Sequence, residues 1–108
     1  VGPTWNALTI DNASVDPSLG IYAIFFSNGQ VEGFDGCNTF LASYQSFEDQ
    51  IDVSGLPTGP GVSNCLPENQ AVSTAFLVAL DQVTNFSVSG NTLSMRDASG
   101  AQRLQFTK

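Results

Sequence analysis

Apolar and polar residues alternate along most of the chain in short blocks, and turn residues cut those blocks to strand length. Residues 4–10 form the first such block, with Trp5 its largest apolar side chain. Residues 11–20 hold Asn12, Ser14, Asp16, Pro17 and Gly20 and are expected as a loop. The unbroken run Ile21-Tyr22-Ala23-Ile24-Phe25-Phe26 predicts a buried strand. Asn28-Gly29 then supplies the positive φ angles of a two-residue hairpin turn, so residues 30–34 return antiparallel. After Asp35-Gly36, residues 38–44 set Phe40, Ala42 and Tyr44 against Thr39, Leu41 and Ser43, and residues 50–53 make a further short strand.

The period changes near residue 67. Residues 55–67 contain three prolines and three glycines and support little regular structure. Pro67 then suits a first helical turn, and Glu68 complements the positive end of the helix dipole. Ala71, Val72, Ala75, Phe76, Ala79, Leu80 and Val83 recur at helical spacing, which predicts one amphipathic helix over 67–82. Val72, Phe76, Ala79, Leu80 and Val83 are expected to face the sheet, and Gln70, Ser73, Thr74 and Asp81 to face away. Strands at 85–88, 92–95 and 102–106 follow as a meander, turned at Ser89-Gly90-Asn91 and Asp97-Ala98-Ser99-Gly100. The expected class is α+β, mainly β: a curled antiparallel sheet, or partly open barrel, with one helix covering an apolar face or plugging the mouth.

Composition narrows the chemistry. The 108 residues suit one domain with one modest core. Ten acids against three bases give a net charge of −7, a surface that repels nucleic acid and anionic lipid. The absence of histidine removes a catalytic triad, a Cys/His dyad and a His-based metal site, so no metal or organic cofactor is expected. Cys37 and Cys65 have few cations to stabilise a thiolate and are read as a staple. Two buried free thiols, or a reactive or ligating Cys, are the alternatives. A staple would remove about 3 to 4 kcal/mol of unfolded-state freedom and would place the protein in the periplasm, on the cell surface or outside the cell.

Other candidates weigh less. Asp35 lies beside the cysteine turn, and Glu48, Asp49 and Asp52 cluster further on. These could pair as catalytic carboxylates, but an acidic group in so acidic a chain is ordinarily a solvated loop. The same run lacks the spacing and turn glycine of an EF-hand. Gly59-Pro60-Gly61 loses a donor that a phosphate cradle needs. Asn12-Ala13-Ser14 and Asn85-Phe86-Ser87 match glycosylation acceptors. Gly36 allows a sharp bend before Cys37, and Asn38 can bond local backbone groups as a strand begins.

The segment VEGFDGCNTFLASY, the Pro/Gly-rich stretch ending at Cys65, and AFLVALDQVTNFSVSGNTLSMRDASGAQRLQF together resemble the META domain, the family that includes the HslJ-type heat-shock lipoproteins of bacteria. The resemblance runs from Trp5 to Phe106 and is most specific at Gly36, Cys37 and Asn38, at Cys65 and at Phe76. It implies a small envelope or secreted domain with a curled antiparallel sheet, one helix, no enzymatic activity and a Cys37–Cys65 disulfide. The chain departs from the family at Gly61-Val62-Ser63-Asn64, where Thr-x-Met-Ala is usual, and at Ser73, where Glu is common. The expected mature domain is soluble, with any export signal or lipid anchor removed. Two roles stay open. One is a binding module with an apolar cleft lined by Trp5, Phe25, Phe40 and Phe76, suited to a lipid tail or a partner's apolar segment. The other is an accessory subunit docking on a larger envelope assembly.

Overall fold

A computed structural model describes residues 3–56 and 66–108. Nine strands and one helix follow in the order β1 (Thr4–Ile10), β2 (Ala13–Ser14), a 3-10 turn (Pro17–Leu19), β3 (Tyr22–Phe25), β4 (Gln30–Phe34), β5 (Thr39–Phe47), β6 (Gln50–Ser54), α1 (Pro67–Gln82), β7 (Val83–Ser89), β8 (Thr92–Asp97) and β9 (Gln102–Thr107). All neighbours are antiparallel. From β1 the sheet runs through β3, β4, β5, β6, β7 and β8 to β9, and β9 pairs back with β1. Eight strands therefore close into a barrel, and β2 is a spur outside the ring. The closure goes beyond a partly open sheet.

Alternation fixes which side chains enter the barrel. On β1, Trp5 and Ala7 point inward; a bulge between Ala7 and Thr9 then shifts the register against β9, so that Ile10 also faces in. Ala23 and Phe25, Phe40 and Ala42, Ile51 and Val53, Leu93 and Met95, and Leu104 and Phe106 repeat the same period of two. Val31 is buried on β4, and Gly33 beside it leaves space for the Phe40 ring.

The helix plugs this barrel. Phe76 touches Phe40 of β5 with ring centroids 6.0 Å apart, and Phe106 of β9 at 6.1 Å. β5 and β9 stand four places apart in the eight-strand ring, so a side chain that meets both lies across the interior. The inward stripe is Ser73, Phe76, Ala79 and Leu80, continued by Val83 at the start of β7. Ser73 was expected outside and is buried, whereas Val72, expected inside, is half-buried and packs against the core. Asn69 is half-buried, so Asn69, Ser73, Phe76, Leu80 and Val83 follow spacings of four, three, four and three on one face. The polar first half of that stripe lies near the cysteine turn: a Cβ on Gly36 would stand 4.0 Å from the Asn69 carbonyl oxygen.

Two turns differ from the sequence expectation. At Asn28-Gly29 only Gly29 has positive φ, 87°. Gly29 N–H donates to the Phe26 carbonyl, and Phe26 N–H donates to the Gln30 carbonyl. This is a three-residue loop with glycine in the left-handed position, and the Asn28 side chain accepts from Gln30 N–H at 3.0 Å. The two-residue turn with positive φ at both centres is instead Asp11-Asn12, at 52° and 66°, joining β1 to β2 inside what reads as a loop. The barrel's thinnest seam is between β6 and β7, whose register consists of the single pair Gln50↔Asn85 among the described residues. Phe86 N–H adds one bond to the Asp49 carbonyl, at 2.8 Å.

Candidate functional site

The cysteine turn is built around Asp35. This carboxylate is 2 % exposed and accepts hydrogen bonds from Cys37 N–H at 2.8 Å and Asn38 N–H at 2.7 Å, while Asp35 N–H donates to the Asn38 carbonyl. A buried carboxylate needs such donors, and here it has them in its own turn. Gly36 adopts φ 103°, which a side chain would resist. The predicted capping role of Asn38 thus belongs to Asp35, with the Asn38 backbone as its partner. Cys37 is not free. Cys65 and the Gly59-Pro60-Gly61 stretch lie outside the described residues.

The aromatics expected as cleft lining meet in the core. Trp5 is 4 % exposed, Phe25 and Phe40 5 %, and Phe76 fully buried. Lys108 Nζ sits 5.6 Å from the Trp5 ring centroid, within cation–π range. Phe25 meets Tyr44 edge-on at 5.2 Å, and the Tyr44 hydroxyl donates to the Phe26 carbonyl at 2.6 Å.

At one end of the barrel Arg103 gathers three turns and ends. Its guanidinium bonds to Asp11 of the β1–β2 turn and to Gln82 at the end of α1, and lies 3.6 Å from Asp97 where β8 ends. The Asp11 hydrogen bond, ahead of the opposing effect of burial, raises Arg103 above its ordinary pKa. Asp97 is held below its ordinary value, first by the Ser99 hydroxyl at 2.6 Å, then by Ala101 and Ser99 N–H groups and the Arg103 charge, against some desolvation. A depressed carboxyl stabilises the fold above the unfolded Asp pKa of about 3.9, and that contribution disappears as pH falls through the folded value. Asp97→Asn is therefore expected to flatten the fall of unfolding free energy between about pH 5 and pH 2. Denaturant melts across that range check this; an unaltered slope would refute it.

A surface groove of about 640 Å³ lies where the β5–β6 hairpin meets β7. One side is formed by Gln45, Ser46 and Phe47 of β5 with Gln50, Ile51 and Asp52 of β6. Thr84 and Asn85 of β7 and Ala98 of the β8–β9 turn form the other. The register places Gln45 opposite Asp52 and Phe47 opposite Gln50, so these four occupy one outward face. Asn85, opposite Gln50, extends the row across the seam. Thr84 Oγ1 donates to Asn85 Oδ1 at 2.8 Å and fixes that amide. Phe47 is 72 % exposed. Of the acidic cluster only Asp52 enters the groove; Glu48, at φ 57°, and Asp49 make the hairpin turn. No three Asp, Glu or Cys groups come together as a metal site among the described residues. Sequence reading passed over Phe47, Gln45 and Gln50. The available signal was an aromatic on the outward parity of an alternating strand, next to an acidic turn.

A closed β-barrel plugged by a helix between the sixth and seventh strands, with the Gly-Cys-Asn turn packed near that helix, agrees with a direct family match: the family model described as META domain covers residues 1–108. The chain belongs to the META domain family. Among solved structures, this META domain is similar to a protein from Burkholderia xenovorans determined by NMR, with TM-score 0.71 and 20 % identity over 96 % of this chain and 79 % of that one. It is also similar to a DUF4847 family protein from Bacteroides vulgatus, with TM-score 0.67 and 15 % identity over 82 % of this chain. The META domain spans 59 % of that Bacteroides chain. At these identities the likeness is one of fold. No curated protein matches the chain.

Proposed function

We propose that this META domain is a non-catalytic, extracytoplasmic binding domain of the cell envelope or secreted medium, which takes its partner on the outside of the barrel. The observation that carries the reading is the occupied interior: Phe76 spans from β5 to β9 and packs on Phe40 and Phe106, and Trp5 and Phe25 are buried in the same core cluster. Recognition then falls to the surface, where the β5–β6–β7 groove supplies concavity and polar groups with an exposed ring. A hydrolase role for the carboxylates has little to support it, because Asp35 is engaged with its own turn. Docking on a larger envelope assembly is the second reading, favoured by Leu41, 58 % exposed on the outer face of β5.

The compartment follows from a Cys37–Cys65 disulfide, which this reading includes. Alkylation of unreduced, denatured protein is expected to label no thiol, and reduction to free two; two labelled thiols before reduction would remove the argument for an oxidising compartment. The binding role is tested by amide-shift titration of isotope-labelled domain with three probes: a neutral oligosaccharide, an arginine-rich peptide and anionic phospholipid vesicles. Saturable shifts gathered at residues 45–52 and 84–85 are the expected result. Silence of those amides with every probe would overturn the groove as the binding surface.

A further inference from the structure

We infer that the β5–β6–β7 groove is a saccharide-binding site that takes a neutral, hydroxyl-rich sugar chain; this deepens the binding reading above and rests on it. A sugar ring presents an apolar C–H face and a rim of hydroxyls, so a protein site for it needs an exposed aromatic ring with hydrogen-bonding side chains around it. Phe47 supplies the ring at the end of the hairpin strand, and Gln45, Gln50, Asp52 and Asn85 lie to one side of it on the same outward sheet face.

These polar groups are available to a ligand. Among the described residues, Gln45, Gln50 and Asp52 have no side-chain hydrogen bond. Asn85 uses its Oδ1 on Thr84, which orients the amide and leaves both Nδ2 protons to donate. Gln and Asn each offer a donor and an acceptor, and Asp52 accepts only, a set that suits adjacent hydroxyls able to do both. Most small-ligand clefts are lined chiefly by apolar groups. Here apolar and polar surface line the groove in about equal shares, a mixture that fits a ligand with both an apolar face and a polar rim. An acyl chain would leave the amides and the carboxylate desolvated and unpaired.

Charge decides against an anionic ligand. The chain has three cations. Arg103 is held by Asp11 and Asp97, Lys108 lies over Trp5, and Arg96, next along the row from Asn85, reaches Ser87 at 3.4 Å and does not line the groove. With Asp52 in the site and Glu48 and Asp49 at its edge, a phosphate or carboxylate would be repelled. A basic peptide would answer the acids but would not need the exposed Phe47 ring beside the amides, and it is a separate arm of the test below.

The test uses the intact domain with β-1,4-linked N-acetylglucosamine tetramer and glucose tetramer as probes, beside the arginine-rich peptide and anionic vesicles. The expected result is saturable shifts at residues 45–52 and 84–85 with at least one tetrasaccharide. Affinity should fall about tenfold or more in Phe47→Ala and in Asp52→Asn, and should hold in Leu41→Ala. All three positions are exposed, and unchanged melting of each variant confirms its fold. A groove response to peptide or vesicle with none to sugar would overturn the saccharide assignment and leave the binding surface standing. No groove response to any probe would overturn both. Sugar binding indifferent to Phe47→Ala would overturn the site.

Discussion

Phe76→Ala is expected to cost this domain about 3 to 5 kcal/mol. Phe76 is fully buried, reaches across the barrel, and meets Phe40 at 53° and Phe106 at 81°. Truncation removes the transfer energy of the ring and leaves a cavity bounded by strands whose ladders restrict collapse. It also removes two aromatic pairs, each worth about 0.5 to 1.5 kcal/mol beyond area. On the same helix Val78 is 45 % exposed, and Val78→Ala should change stability by no more than about 0.5 kcal/mol. Paired denaturant melts measure both. A loss below about 1 kcal/mol at Phe76 would mean the helix does not plug the barrel, and an interior opening would return as a ligand site.

That helix was legible in the sequence to its ends, 67–82, because Pro67, Glu68 and the 3.6-residue period all act locally. Its orientation was legible only in part. Scoring apolar residues alone places Val72 against the core, where it packs half-buried, but misses that the buried face continues upward through Ser73 toward Asn69 near the cysteine turn. Polar residues in a buried stripe carry no periodic signal. Strand positions followed from alternation, but closure did not: Asn6↔Thr107 joins residues at opposite ends of the chain, and alternation says which face a side chain takes without saying which strand lies beside it. The turn misreading has a similar cause. Asn28-Gly29 is the commoner dipeptide for two positive φ values, yet Gly29 alone uses one, while Asp11 and Asn12 adopt the conformation with no glycine at all.

The binding surface was less visible than the core. Aromatic residues on the apolar period of a strand or helix read as interior, and for Trp5, Phe25 and Phe40 in strands and Phe76 in the helix that sense was sound even where a cleft was also entertained. Phe47 has the same chemistry on the opposite parity, three residues beyond the expected strand end at Tyr44. Its neighbours Thr84 and Asn85 come from beyond the helix, brought in by the one-pair seam between β6 and β7. Such a juxtaposition exists only after the barrel forms, so no local pattern announces it.

Gly33→Ala should be nearly as disruptive as the loss of Phe76, by the opposite mechanism. A Cβ at Gly33 would stand 2.3 Å from the Tyr22 carbonyl oxygen and 2.7 and 2.8 Å from two atoms of the Phe40 ring. The first contact is with backbone held in the β3–β4 ladder, where Tyr22 pairs with Phe34 and Ala23 with Gly33. The second is with a ring that has Phe76 close to it, so neither neighbour can yield freely. Overpacking of this kind costs about 3 kcal/mol, the upper part of its usual range. Gly20→Ala provides the contrast. Gly20 has open space but φ 71°, so the cost there is conformational alone, about 1 to 2 kcal/mol. Shortening the ring in Gly33→Ala/Phe40→Leu should recover only part of the loss, since the Tyr22 carbonyl stays in place. Melts of the three variants decide the matter: if Gly33→Ala costs no more than Gly20→Ala, β3, β4 and the Phe40 ring are not packed against one another as described. The filled interior, on which surface recognition rests, would go with them.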